Sequence, residues 1–466
     1  MTSSSPRSEL RAQIELAIPL AVQQLGFQLM GAVDAAWLGR YSESAIAAAG
    51  VGNSILFAIT SIGLGIVMGL DSVIPKAVGA GATEDARRYL HAGCRLAVLV
   101  GLAGMIALLA TPALLGVADV ADDVAADAKL YVYLRSFGVV PFFVSVALRS
   151  YLAAFSITRP LILAVVVANL VNAVLDPALI FGVDALGIPA LGVGGAAIAT
   201  VAVNILIPAI YYLAIRTLDG DAPRATSTRA DLATIARYGA PVGGQLLAEV
   251  GIFGVATLLA ANLGTLSAAG HTIALNLASF TFSVAVGVGA ATSVRVGHAI
   301  GAGDRALARR RGMYGLGIGL AAMACSAAAF VLAARPIARV FTDDLAVVDA
   351  AVPLLMIAAL FQLSDGAQAV LAGALRGLGD TRATFIGNVL GHYGLGLGIS
   401  LLLAYELELG APGLWWGLSA GLTGTAIYLL VRFLAHTRPT TGTDDGTDDG
   451  TNDGTNDGTD NDATPP

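Results

Sequence analysis

The sequence contains few charged residues for its length. Asp, Glu, Lys and Arg make up 13% of its 466 residues, whereas soluble globular domains are about 25% charged. Lysine occurs only twice, and the two cysteines, Cys94 and Cys325, have neither the number nor the spacing of a disulfide framework or a zinc site. No GxxxxGK[ST] phosphate-binding loop is present, which argues against ATP-driven chemistry. These shortages argue against a large soluble enzyme.

The acidic net charge of −7 comes from the end of the chain. Eight Asp residues lie between Asp444 and Asp462, after the last basic residue, Arg438. Without them the acidic and basic counts are nearly equal, so the composition does not favour a nucleic-acid-binding protein. The repeated Thr-Asp-Asp-Gly segments predict a disordered acidic cytoplasmic tail over 436–466. Together with the preference for Arg and Asp over Lys and Glu, the tail suggests a halophilic prokaryote.

Hydrophobic residues make up 56% of the chain and form long runs. A membrane-spanning helix needs about 20 mainly apolar residues. Twelve runs meet this length, near 14–37, 46–75, 91–117, 129–154, 160–182, 191–215, 233–262, 268–297, 312–340, 347–375, 383–405 and 411–434. Because backbone groups in lipid must be paired within the chain, we expect an all-α polytopic membrane protein with about 12 transmembrane helices. Ser-rich residues 2–8 lead into a long run with no small-residue cleavage site ahead of a soluble domain, so we do not expect a cleaved signal peptide.

The positive charges predict the orientation of these helices. With a cytoplasmic N-terminus, all but five of the 26 basic residues fall at cytoplasmic helix ends. The five exceptions are Arg40, Lys129, Arg135, Arg335 and Arg339. Since an excess of Lys and Arg marks the inner side, we expect a multi-pass plasma-membrane protein with both termini in the cytoplasm.

The two halves of the sequence repeat each other at an offset of about 222 residues. Ala77-Val78-Gly79-Ala80-Gly81 matches Ala299-Ile300-Gly301-Ala302-Gly303, Pro19 matches Pro241, and Gly187-x-Pro189-x-Leu191 matches Gly410-x-Pro412-x-Leu414. Each half has six helices, so both insert in the same orientation, related by a pseudo-two-fold axis along the membrane normal. Such an internal repeat is typical of alternating-access transporters, and the alternative is a duplicated bundle without a path.

The repeat divides the chain into two lobes and three polar segments. We expect a cytoplasmic N-terminus over 1–13, an N-terminal lobe over 14–215 and a cytoplasmic linker over 216–232. A C-terminal lobe follows over 233–435, and the tail ends the chain.

Two acids lie within predicted helices of the N-terminal lobe, where an unpaired charge costs at least about 2.5–3.5 kcal/mol. Asp34 is near the outer end of helix 1, and Asp176 is in helix 5. Asn169 and Asn172 share a helical face with Asp176. We expect these four side chains to form a proton or sodium site, with Asp34, Asn172 and Asp176 as possible Na⁺ ligands. Burial and a neighbouring like charge favour the neutral form of one acid, as a proton carrier requires.

The C-terminal lobe has two acids of its own, Glu249 in helix 7 and Asp365 in helix 10. None of the four acids recurs in the other half, since the matching positions are Ala256, Ile399, Phe27 and Phe142. Acids outside the repeated pattern indicate functions specific to one lobe. We therefore expect Glu249 and Asp365 to be acids of a cavity in the C-terminal lobe.

Other polar or helix-bending residues are weaker candidates. Pro19 precedes Asp34 in helix 1, and we expect it to bend that helix. Asp71 lies near a cytoplasmic helix end, where solvent is expected to reach it. The three histidines within predicted helices are at scattered positions and are expected to be structural: His271, His298 and His392.

Taken together, these residues resemble the MATE (multidrug and toxic compound extrusion) family over nearly all of residues 10–435. The resemblance lies in Val33-Asp34-x-x-Trp37-Leu38-Gly39 after Pro19, the Gly79-Ala80-Gly81 and Gly301-Ala302-Gly303 loops, Leu148-Arg149 before Thr158-Arg159-Pro160, and Asn172-x-x-x-Asp176 ahead of Gly187-x-Pro189-x-Leu191. It implies a V-shaped twelve-helix antiporter that uses a proton or sodium gradient to export cationic, amphipathic compounds.

The resemblance extends to individual site residues. Asp34, Asn172 and Asp176 are similar to the N-lobe cation site of the DinF-type branch, whereas Glu249 and Asp365 are similar to the C-lobe acids of the NorM-type branch. Because both patterns are present, the coupling ion, H⁺ or Na⁺, and the division of labour between the lobes stay open. We expect no cofactor, a monomer surrounded by membrane lipids, and no nucleic-acid partner.

Two other functions compete with drug export. A flippase for lipid-linked sugars has a similar duplication, but its anionic substrates require a more cationic cavity. Gly377-Leu378-Gly379-Asp380 spells the GxGD motif of intramembrane aspartyl proteases, which need a second membrane aspartate at close range. Asp380 instead falls between Arg376 and Arg382 in a predicted cytoplasmic loop, where we expect it to cap helix 11.

Overall fold

The structure is a computed structural model that describes residues 6–111, 122–219 and 226–438. Eleven of its helices are long and apolar enough to cross a membrane, and one bent helix pair makes a twelfth span. In chain order, spans 1 to 12 are Pro6–Tyr41, Glu43–Gly79, Thr83–Ala110, Val124–Ser136 with Val139–Ala154, Arg159–Ile180, Val193–Leu218, Arg229–Asn262, Thr265–Gly301, Arg305–Arg339, Leu345–Leu378, Thr381–Glu406 and Gly410–His436. The predicted all-α polytopic fold is confirmed.

Parts of the predicted organisation lie outside the described residues. They are residues 1–5 of the N-terminal segment, 112–117 at the end of the third predicted run, 220–225 of the linker, and the acidic tail from 439 onward.

Several spans depart from a regular α-helix. Span 2 is interrupted at Met68 and Gly69. Span 4 bends by 46° between its two helices, just ahead of Pro141. Span 11 contains two π-helical stretches, Leu390–Gly396 and Leu402–Glu406, a geometry that often marks functional positions. Span 1, in contrast, continues as one helix through Pro19.

The internal repeat is visible in the backbone. Gly81 and Gly303 both have φ of +75°, at an offset of 222 residues, and Gly187 and Gly410 have φ of +66° and +62°, at an offset of 223. This left-handed region favours glycine because a Cβ would clash there. The same turns therefore recur at matching positions, which supports the prediction of two repeated lobes.

The lobes meet along spans 1 and 2 of the first half and spans 7 and 8 of the second, where backbones approach closely. A Cβ added to Gly65 would lie 2.1 Å from the Gly243 nitrogen, and one added to Gly287 would lie 2.3 Å from Ala21 Cα. Small residues allow such approach between membrane helices. These contacts lead to the bundle end that holds Gly79 and Gly301, hereafter the closed end.

Ion pairs and hydrogen bonds join the lobes at the closed end. The buried carboxylate of Glu9, in span 1, pairs with Arg295 of span 8 and, at 2.8 Å, with Arg311 of span 9. Gln13 donates to Thr292 Oγ1 at 3.0 Å. The charge pattern of the sequence predicts that this end is cytoplasmic.

Spans 2, 4, 8 and 10 add further contacts at the same end. Lys76 Nζ donates to the Leu378 carbonyl at 2.9 Å, and His298 Nε2 lies 2.7 Å from the Ala154 carbonyl oxygen. Asp71 is buried, accepts from Ser150 at 2.6 Å and pairs with Arg149 at 3.5 Å. The expectation that solvent reaches Asp71 is wrong, because neighbouring spans cover it.

Candidate functional site

Span 1 and span 5 bring the two acids of the N-terminal lobe together. Asp34 is 8% exposed, Asn172 1% and Asp176 0%, and the two carboxylates interact electrostatically. Thr200 of span 6 donates its hydroxyl to Asp34 Oδ2 at 3.0 Å. We call Asp34, Asn172, Asp176 and Thr200 the N-lobe site.

Most polar atoms of the N-lobe site have no hydrogen-bond partner. Asp34 Oδ1, both carboxylate oxygens of Asp176 and both ends of the Asn172 amide are buried and unpaired among the described residues. Buried polar atoms are normally paired, so an exception requires an explanation. Four of the five atoms are oxygens, which can accept a proton or ligate a hard cation such as Na⁺. The residues present therefore fit either a proton or Na⁺.

A cationic and an aromatic side chain flank the N-lobe site. Arg135, at the end of the first helix of span 4, interacts electrostatically with Asp176 and lies 5.6 Å from the centre of the Tyr131 ring. The Tyr131 hydroxyl donates to Asn53 Oδ1 at 3.2 Å. Sequence reasoning placed Arg135 only at an outer helix end and missed Thr200 and Tyr131. The polar groups of Thr200 and Tyr131 within apolar runs could have identified them from the sequence.

Asn169 has a different role from Asn172, although both were assigned to one site. Its amide donates to the Gly26 carbonyl of span 1 at 3.1 Å and to the Val165 carbonyl at 2.8 Å. These bonds fasten span 5 to span 1 and leave no donor directed at the acids. Asn169 therefore positions the two helices that carry Asp34 and Asp176.

In the C-terminal lobe, amide groups from three spans fix the carboxylate of Glu249. Its Oε1 accepts hydrogen bonds from Gln245 at 3.0 Å, Gln368 at 2.7 Å and Asn388 at 2.8 Å. The donors belong to spans 7, 10 and 11. Three donors on one oxygen hold the carboxylate in a single orientation.

Glu249 and Asp365 line one cavity in the C-terminal lobe. The wall also includes Gln368, His392 and the aromatic side chains of Phe253, Phe282 and Phe361. Aromatic faces and carboxylates together suit a flat organic cation, which gains from cation–π contact as well as from charge. We call this the C-lobe cavity.

The remaining sequence candidates have structural contacts. Asp380 accepts from the Ala383 amide at 3.3 Å and pairs with Arg432 at 2.8 Å, so it caps span 11 as expected. Trp415 Nε1 donates to His271 Nδ1 at 3.2 Å. His271 thus fits the structural role predicted for it.

Comparisons with known proteins agree with the geometry. The family model MatE matches this chain twice, at residues 19–178 and 241–402. A "Probable multidrug resistance protein NorM" of Deinococcus radiodurans is 35% identical over 93% of this chain and 97% of its own length. A protein of the same description from Bradyrhizobium diazoefficiens is 33% identical over 92% and 94%.

A solved structure shares the fold. It is described as an "Outward-facing conformation of a multidrug resistance MATE family transporter of the MOP superfamily". It superposes with a TM-score of 0.84 at 21% identity, covering 92% of this chain and 96% of the other.

Proposed function

Since this chain belongs to the MatE family of membrane transporters, we propose that it is a multidrug exporter that exchanges cationic, amphipathic compounds for H⁺ or Na⁺. The observation that carries the proposal is the N-lobe site, where two buried carboxylates lie side by side with most of their oxygens unpaired. Such a group is costly unless a proton or cation compensates it. An exchange cycle supplies that compensation in one half and withdraws it in the other.

The C-lobe cavity supports cationic cargo. Glu249 provides negative charge, Asp365 provides a second carboxyl group, and three Phe side chains provide apolar and cation–π surface. The relatives named as multidrug resistance proteins are consistent with such cargo. A lipid-linked sugar carries negative phosphates, which two cavity carboxylates would repel. The acids therefore favour drug export over the flippase alternative.

The contacts between the lobes suggest how access alternates. Glu9, Lys76 and Arg295 hold the closed end together, so cargo in this state is proposed to leave at the opposite end, toward the outside. Opening inward requires these bonds and the glycine contacts of spans 2 and 7 to break. Ion and cargo drive the change only through their different affinities for the two states.

Charge couples the two fluxes in this scheme. A proton or Na⁺ entering from the outside neutralises part of the N-lobe site, which changes the packing of span 1 between Pro19 and Asp34. The cavity then releases its cation outward. When the ion leaves to the cytoplasm, the acids regain their charge and attract new cargo. Over the whole cycle, positive charge that moves inward is exchanged for positive charge that moves outward.

Efflux from proteoliposomes tests this function. The purified protein is reconstituted with a fluorescent cationic dye inside, and either a pH or a Na⁺ gradient is imposed. We expect one gradient to drive dye export, and Asp34→Asn to abolish it. The matched control is Asp184→Asn, which changes an exposed aspartate outside the spans.

The outcomes separate coupling from transport. Full gradient-driven efflux by Asp34→Asn would refute coupling at the N-lobe site. Wild-type efflux that persists after both gradients have been collapsed would refute antiport itself. Transport of a lipid-linked sugar without dye efflux would favour the flippase.

A further inference from the structure

His392 is a buried histidine in the wall of the C-lobe cavity, next to Glu249 and Asp365. It is 2% exposed, and its Nδ1 has no hydrogen-bond partner among the described residues. The ring lies in the π-helical stretch Leu390–Gly396 of span 11 and faces Phe253 edge to face, with centroids 6.2 Å apart. The sequence suggested a structural histidine, but a structural role leaves this buried nitrogen unexplained.

The internal repeat shows that packing does not require this histidine. In the N-terminal lobe, Asn169 of span 5 donates to the Gly26 carbonyl of span 1. In the C-terminal lobe, the equivalent bond runs to the Ala248 carbonyl of span 7, which matches Gly26 at an offset of 222. Its donor is the hydroxyl of Tyr393, at 2.8 Å, although His392 is the residue that matches Asn169 at an offset of 223.

The packing contact has thus moved one residue along span 11, into the π-helical stretch. A π-helical turn holds more residues than an α-helical turn and changes which side chains face a neighbour. Tyr393 fastens span 11 to span 7, and His392 is left free to face the cavity.

The groups around His392 are acidic. Glu249 of span 7 interacts electrostatically with the imidazole, and Asp365 of span 10 lines the same cavity. Span 12 packs against this stretch with Leu422, Gly421 and Thr425, none of which titrates. Arg376 of span 10 also interacts electrostatically with Glu249, but it is not among the described residues that line the cavity. The wall that His392 shares therefore contains two carboxyl groups.

This set of groups suits a proton better than a sodium ion. Histidine takes up a proton near neutral pH, whereas Na⁺, like other hard cations, prefers oxygen ligands. The N-lobe site consists of oxygen donors and one amide, and it fits either ion.

We propose that His392 is a third titratable member of the C-lobe cavity and that it carries a transported proton, which makes this exporter proton-coupled. The inference rests on the proposed function and adds the coupling ion and one of its carriers. From the outside, a proton binds the imidazole, and the imidazolium pairs with Glu249 and Asp365. The paired acids no longer attract the organic cation, which leaves. The proton is later released to cytoplasmic water, and the carboxylates can bind new cargo.

The pH dependence of dye binding tests the proposal. Binding of a cationic dye to the detergent-solubilised full chain is measured between pH 5.5 and pH 8. Exchange of one proton for one dye changes the apparent Kd about tenfold per pH unit, and we expect wild type to show at least this slope over part of the range. His392→Gln cannot be protonated at this position. Its apparent Kd should therefore change about tenfold less per pH unit than that of wild type. It should also lose most pH-driven efflux.

Controls separate this role from a loss of folding. His91→Gln changes a half-buried histidine that contacts its own helix at the Arg87 carbonyl, and it should keep the wild-type slope. Thermal unfolding and size-exclusion profiles of His392→Gln and His392→Asn identify misfolded variants, and either folded variant serves for the test.

Each outcome bears on a different claim. An unchanged pH slope in a folded His392 variant would refute the role of His392, and so would wild-type efflux driven by Na⁺ but not by a pH gradient. Absence of wild-type dye efflux under either gradient would instead refute the proposed function. Even without dye efflux, the pH dependence of dye binding would still test the role of His392.

Discussion

Replacing Glu9 by Gln removes a carboxylate that two arginines of the other lobe share. The side chains are nearly buried, with exposures of 5% for Glu9, 12% for Arg295 and 13% for Arg311. Removing one partner of a buried ion pair typically costs about 3–5 kcal/mol, because the remaining charge is left uncompensated. The glutamine oxygen can still accept one hydrogen bond, so we expect a smaller cost than this range, about 2–3 kcal/mol.

The substitution destabilises only the conformation in which the closed end is shut. Glu9 meets Arg295 and Arg311 when the closed end is shut, whereas opening separates span 1 from spans 8 and 9. The substitution should therefore shift the equilibrium toward the state that is open at this end by roughly 30- to 150-fold. If the closed end is cytoplasmic, the variant should favour the inward-open state.

Distances between spin labels measure this shift. Labels at the exposed positions Glu84 and Arg305, one in each lobe beside the closed end, should move apart in Glu9→Gln, with Cys94 and Cys325 replaced by Ser. The control is Glu15→Gln on the same helix, because the Arg11–Glu15 pair is 81% and 61% exposed and such surface pairs contribute about 0–1 kcal/mol. An unchanged distance distribution in Glu9→Gln would refute the reasoning.

Three further predictions follow from the same geometry. Gly65→Ala should also weaken closure, since its Cβ would lie 2.1 Å from the Gly243 backbone; Gly50→Ala on the same span meets nothing within 4 Å and should leave the label distances unchanged. Glu249→Gln should weaken cationic dye binding about tenfold or more, because the cavity loses a charge worth at least ~1.4 kcal/mol; calorimetry that gave a wild-type Kd would contradict this. Truncation after residue 439 should leave vesicle efflux intact, and a large loss would show that the acidic tail takes part in transport.

The sequence predicted the spans well because their signal is simple. A run of about 20 apolar residues has few alternatives to a membrane helix, and the repeat fixed the two lobes through turns such as Gly81 and Gly303. Local geometry within spans was harder. The bend in span 4 and the π-helical stretches of span 11 depend on packing between helices, which hydropathy does not record.

The same limit applies to the site. Asp34, Asp176, Glu249 and Asp365 were found because a charge in an apolar run is conspicuous. Thr200 and the amides around Glu249 were missed because Thr, Gln and Asn occur in many helices without function. His392 could be interpreted only once its unpaired nitrogen and its neighbour Tyr393 were placed in three dimensions.

The central claim is that export is an exchange of an organic cation for H⁺ or Na⁺. The most direct measurement starts from proteoliposomes with a dye gradient and no ion gradient, and records both fluxes. Antiport predicts that dye moving down its gradient drives the coupling ion in the opposite direction, and that Asp34→Asn abolishes this ion flux. Dye movement without any opposing H⁺ or Na⁺ flux would contradict the account.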